Sequence, residues 1–234
     1  MRVMAIGAHP DDLEILCAGT LARYVAEGHQ VTMCHIARGD RGSYEHTREE
    51  ITAIRDAEAR AAAEVVGAAY QALDVADGEI DSSNEGQRVQ VTEAIRLARP
   101  DVVLAHSAND YMTDHVEASR LAFDASFLAT LPLYETASPH LPEVPALVYM
   151  ETVTGNDFVP VEFVDISAHI ETKLTALDRH QSQLRWLADH DGVDMLDQIR
   201  TVSRYRGLQC GVEYAEGFIP CNVWLRARTE RVLP

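Results

Sequence analysis

Lysine is nearly missing from this chain: Lys173 is the only one among 20 basic residues, which face 37 acidic residues for a formal net charge of −17. An acidic chain without a basic cluster repels nucleic acid and anionic lipid, so neither is an expected partner. Cysteine is sparse too. The thiols at positions 17, 34, 210 and 221 show no CxxC spacing and fall in apolar segments, which predicts reduced, packed side chains rather than a disulfide frame. No run approaches the roughly 18 uninterrupted apolar residues of a membrane span, and an apolar strand begins at Arg2 with no room for a signal peptide. A soluble, cytoplasmic protein is therefore expected. A GxGxxG turn is also lacking, and the loop where a pyrophosphate would sit holds carboxylates instead, which argues against a nucleotide binder.

What is present is ample apolar material, 47% of 234 residues, enough for one large α/β domain. Val3 to Gly7 reads as a buried strand, followed by a polar loop and one helix to about Glu27; Gln30 to Ala37 is the next strand. Glu45 to Val66 predicts a long helix closed by Gly67, Tyr70 to Leu73 a short strand, and Glu85 to Ala98 a helix closed by Pro100. Val102 to Ala105 is a strongly apolar strand. A second polar loop, a helix from about His115 to Ala129, an irregular Pro-rich stretch and a strand at Ala146 to Glu151 follow. Ser167 to about Arg206 reads as mainly helical, and Tyr214 to Trp224 as short extended pieces. The pattern predicts a Rossmann-like, mostly parallel sheet with helices on both faces and a helical C-terminal elaboration. With no repeat or linker, residues 1–234 read as a single domain. Self-association into a homo-oligomer is left open.

Both polar loops follow apolar strands, so they belong at the carboxyl ends of a parallel sheet, where open α/β folds bind ligands. The first contains His9, Asp11, Asp12 and Glu14; the second contains His106, Asp110, Asp114 and His115. One histidine from each loop plus one carboxylate makes a His2Asp set that leaves a divalent ion an open position for water. Of two adjacent aspartates, one can bind the ion while the other faces the water, which is a hydrolase layout. Helix capping competes for these residues: Asp11 or Asp12 suits the helix at Ile15, and Asp114 the helix at His115.

Ala8-His9-Pro10-Asp11-Asp12-Leu13-Glu14 resembles the AHPDDxE signature of the LmbE-like, PIG-L-type de-N-acetylases, which include the mycothiol and bacillithiol pathway deacetylases. Gly19-Thr20, Arg38-Gly39-Asp40, Asp114-His115, His180-Gln181-Ser182-Gln183 and Tyr214 to Phe218 are similar to further elements of that family, so the resemblance spans nearly the whole chain. It implies zinc on His9, Asp12 and His115, Asp11 as general base, and an N-acetylated sugar as substrate. Glu14 becomes a second-sphere residue or a helix-start carboxylate favoured by the dipole. Arg55 resembles an arginine that contacts substrate, and Asp77 a substrate-contacting aspartate or, equally, a turn residue. One position departs: where the family's element begins with a histidine, this chain has Met112, which neither donates a proton nor stabilises an oxyanion. Met112 is then a substrate-pocket residue. His106, His180, Tyr111 or a second transfer by Asp11 are the candidates to replace the missing acid.

Overall fold

Five apolar runs form the parallel part of one seven-stranded sheet. In the computed structural model, which describes residues 1–234, they are β1 (Arg2–Gly7), β2 (Gln30–Ala37), β3 (Ala69–Val75), β4 (Val102–Ala105) and β5 (Ala146–Met150). Two more strands, β6 (Glu162–Asp165) and β7 (Ala215–Pro220), extend the sheet antiparallel, giving the order β3-β2-β1-β4-β5-β7-β6. Val3 pairs with Val31 on one side and Val102 on the other. The order reverses between β1 and β4, so a crevice opens beyond their carboxyl ends, where the two polar loops begin.

The helices are α1 (Asp12–Leu16), α2 (Ala18–Ala26), α3 (Arg48–Val66), α4 (Glu85–Ala98), α5 (Thr113–Leu128), α6 (Ile170–Leu177), α7 (Gln181–Asp191) and α8 (Met195–Cys210). Apolar side chains of α1, α2, α3, α6 and α8 share one core with one sheet face, and those of α4 and α5 cover the other. The long helix α3 starts where local chemistry says it should: Thr47 and Glu50 form a reciprocal capping box, and Gly67 takes the left-handed C-cap conformation at φ 83°. No helix is long and apolar enough to cross a membrane.

Three expectations change. The single helix after β1 is two helices broken at Cys17, because the Glu216 carboxylate, arriving from β7, accepts the backbone N–H groups of Gly19 (3.0 Å) and Thr20 (2.7 Å) and starts α2 afresh. The strand β6 was not anticipated; it is a four-residue edge paired only to β7. The last helix of the parallel half begins at Thr113 with Met112 as N-cap, so Asp114 lies inside α5 and caps nothing.

Lys173 from α6 is 2% exposed and pairs with the same Glu216 carboxylate. Glu216→Ala would leave one buried ammonium and two N–H groups unpartnered, so a loss of about 3–5 kcal/mol in urea unfolding is expected. A loss under about 1 kcal/mol would show that this junction does not hold the two parts of the sheet together.

Candidate metal centre

The loop after β1 turns sharply at Pro10 and Asp11. Asp11 sits at φ 120°, a conformation L-residues rarely adopt, and such strain of about 1–3 kcal/mol persists only where neighbours over-determine it. Here Arg55 from α3 donates to the Pro10 carbonyl at 2.5 Å and lies 3.5 Å from Asp11 Oδ1. Gly39 makes room for that guanidinium: a Cβ at this left-handed position would stand 2.5 Å from Arg55 Nε.

Asp12 is the hub. Its Oδ2 accepts the His9 backbone N–H at 2.6 Å and lies 3.5 Å from His9 Nδ1, while Oδ1 is 3.2 Å from His115 Nε2. The ligand atoms offered by His9, Asp12 and His115 all lie within 4.8 Å of one another. Each imidazole is held from behind by a carboxylate. His9 Nε2 pairs with Asp114 Oδ2 at 3.0 Å, and His115 Nδ1 pairs with Asp110 Oδ2 at 3.0 Å. A carboxylate on one ring nitrogen fixes the tautomer and raises the basicity of the other. That leaves His115 Nε2 buried with no hydrogen-bond partner, an orphan that a cation would satisfy. The residues therefore fit a divalent ion. A second grouping of His106, Asp110 and His115 fits less well, because Asp110 already orients the His115 ring and His106 Nε2 accepts the Ala8 N–H at 2.9 Å.

The electrostatics favour positive charge here. Burial pushes the Asp12 carboxyl up, but His115 and His106 outweigh it and hold the group well below the usual carboxylate range. Burial likewise depresses His9 and His115, yet the facing carboxylates raise them to about 10 and about 9. Asp11 goes the other way: burial lifts it to about 6 against the opposing pull of Arg55.

The remaining expected residues are placed as follows. Asp77 accepts the backbone N–H of Gly39 at 2.8 Å and of Arg41 at 3.3 Å, so it ties the loops after β2 and β3 together. Met112 is partly exposed, with its N–H donated to Asp110 at 2.9 Å. His106 is fully buried beneath the donor set, stacked on His115 at 4.0 Å between ring centres. Its Nε2 serves as an acceptor, so no proton sits there to give, and burial, then His115, lowers its pKa. His180 is also fully buried, 3.2 Å from Glu14 Oε1. Both histidines expected to replace the missing acid are thus buried as deeply as His115, whose side chain is 1% exposed. Arg55, expected at the substrate, is 3% exposed and donates to the Pro10 carbonyl. Sequence reasoning gave no role to Asp110 and left Asp114 as a possible cap. Both acids were visible in the second loop, but assigning each to its own imidazole requires the fold.

Fold and site define an open α/β protein with a candidate mononuclear metal centre at the switch point of its sheet. The chain belongs to the family described as PIG-L: GlcNAc-PI de-N-acetylase, which matches residues 4–126. It is 30% identical to diacetylchitobiose deacetylase from Thermococcus kodakarensis, over 94% of this chain and 83% of that protein. It is 25% identical to 4-oxalmesaconate hydratase from Pseudomonas putida, over 74% and 70% of the two chains. Among solved structures, the conserved protein TT1542 from Thermus thermophilus superposes with a TM-score of 0.81 at 31% identity, covering 99% of this chain and all of that one.

Proposed function

We propose that this protein is a metal-dependent N-deacetylase that removes an acetyl group from the amine of an amino sugar or glycoside, with residues 1–234 acting as one catalytic domain. The observation that carries this reading is the donor set of His9, Asp12 and His115, with Asp11 next to Asp12 in the chain and interacting electrostatically with Asp12 and His9. Two imidazoles and one carboxylate suit zinc. A cation held there would supply Lewis acidity, bringing a water's pKa toward about 7 and polarising an amide carbonyl.

The chain's own residues do the rest. Asp11 accepts the proton of the attacking water, and its strained turn, held by Arg55, keeps the carboxylate in place. With Met112 in place of a proton donor and His106 Nε2 already accepting the Ala8 N–H, Asp11 also returns the proton to the departing amine. Asp110 and Asp114 hold the two imidazoles in their tautomers. The Thermococcus relative supports an N-acetylated sugar as the substrate class.

A second reading has its own observation. The Pseudomonas relative is a hydratase, and Met112 leaves no side chain dedicated to protonating an amine. The deciding experiment is metal analysis of purified protein followed by an acetate-release screen over acetamido sugars and N-acetyl amino acids, with water addition to unsaturated dicarboxylates assayed in parallel. One bound ion and acetate from an acetamido sugar is the expected result. Release from N-acetyl amino acids alone would point to a non-sugar amidase, and hydration without acetate release would establish the second reading.

A further inference from the structure

A cavity far along α5 from the metal centre plays no part in the chemistry above. Its volume is about 420 Å³, within the range of small-molecule sites, and its apolar walls come from Phe123, Phe127 and Leu128 of α5, Val144, and Trp224 and Leu225 of the segment after β7. Phe123 and Phe127 stand eight and twelve residues beyond His115, so about 12–18 Å of helix separates the cavity from the donor set. The two sites are distinct. Trp224 is 85% exposed, and Phe127 and Leu225 are 41% exposed, which gathers large apolar surface in one place.

Two arginines complete the lining. Arg226 is 4% exposed, donates to Ser126 Oγ at 2.9 Å and to the Phe123 carbonyl at 2.6 Å, and lies 4.3 Å over the Phe123 ring. All of these partners are neutral, so the guanidinium is buried without a counter-charge, and burial pulls its pKa down. Arg88 has a buried Nε with no hydrogen-bond partner, and the carboxylate nearest it, Glu85 of the same helix, stands 3.6 Å from Nη1. Asp124, the one acid in the lining, pairs with neither arginine. In a chain of net charge −17, these walls hold two cations against one anion. The turn that carries Arg226 is also strained: Leu225 sits at φ 71°, a left-handed backbone that bulky residues rarely adopt and that concentrates where ligands are clamped.

We infer that this cavity binds a free amphiphilic carboxylate, its hydrocarbon part against Phe123, Phe127 and Trp224 and its anionic head on Arg88 and Arg226. Charge complementarity selects that occupant. A second copy docking through the same patch brings the same excess of positive charge, whereas a carboxylate supplies the counter-charge that Arg226 lacks. The inference does not depend on the deacetylase reading.

The test titrates octanoate, octanol and octylamine into the full chain carrying Trp186→Phe, which leaves Trp224 as the sole tryptophan, with calorimetry for the affinities. Octanoate should bind saturably, alter the Trp224 emission, and bind at least about tenfold more tightly than octanol, the margin of one charge-assisted hydrogen bond. Octylamine should not bind. Arg88→Gln should erase the margin by weakening octanoate alone, and Phe127→Ala should weaken octanoate and octanol together. Arg88 is chosen because it is partly exposed, whereas loss of the buried Arg226 endangers the fold; thermal melting checks each variant. Equal affinity for octanoate and octanol, or an Arg88→Gln loss shared by both, would overturn the inference. Octanoate that fails to saturate below millimolar concentrations would be an adventitious apolar contact only and would also overturn it. Self-association in sedimentation velocity that Trp224→Ala abolishes, with no response to octanoate, would give the patch to a second copy instead. Acetate release enters none of these readouts, so either proposal can fail while the other stands.

Discussion

Loss of the bound ion, and with it all measurable turnover, is the expected result of replacing His115 with alanine. The substitution removes one of three ligand atoms and leaves the carboxylates of Asp12 and Asp110 facing each other in a buried space. Because that variant also forfeits buried charge pairing, the more discriminating member of the series is Asp110→Asn, which leaves the ligand in place but removes the anion behind it. Metal affinity should then fall about 10- to 100-fold in competition with a chromophoric chelator. Asp114→Asn should behave alike through His9, its amide oxygen still accepting the Gly78 N–H. Stoichiometric, tightly held metal in His115→Ala would refute the ligand assignment.

Asp11→Asn should keep its metal and lose about 10²- to 10⁴-fold in kcat. The amide is nearly isosteric with the carboxylate, and the bond from Arg55 to the Pro10 carbonyl does not depend on the side chain at 11, so the strained turn should survive. What disappears is the ability to take a proton from water and to hand one to the amine. If Asp11 serves both steps, single-turnover measurements should show acetate formation itself slowed. A variant with near-normal kcat would exclude Asp11 as the base.

Much of this was legible because it is local. The AHPDD run places one imidazole and two carboxylates within four residues after an apolar strand, and no long-range contact is needed to see it. The Thr47 to Glu50 capping box and Gly67 likewise mark both ends of α3 within their own few residues. The illegible parts depend on partners far apart in sequence. The break at Cys17 is set by Glu216, almost two hundred residues away, and β6 gains its strand character from pairing with β7 rather than from its own four residues. His106 and His180 had the right chemistry for a proton donor, but their depth below the surface and their pairing with Ala8 and Glu14 are properties of packing. Arg55 illustrates the same point in a milder form: its helix and spacing were readable, whereas its engagement with the Pro10 carbonyl came only from the way α3 crosses the loop.

The solitary lysine has a practical side. Apart from the amino terminus, this protein carries one primary amine, and it is sealed inside the junction between α6 and β7. Amine-directed reagents thus meet no exposed lysine side chain on the folded chain. Lys173 becomes reactive only when the antiparallel edge of the sheet parts from α6, so its labelling rate serves as a built-in clock for the opening of that region.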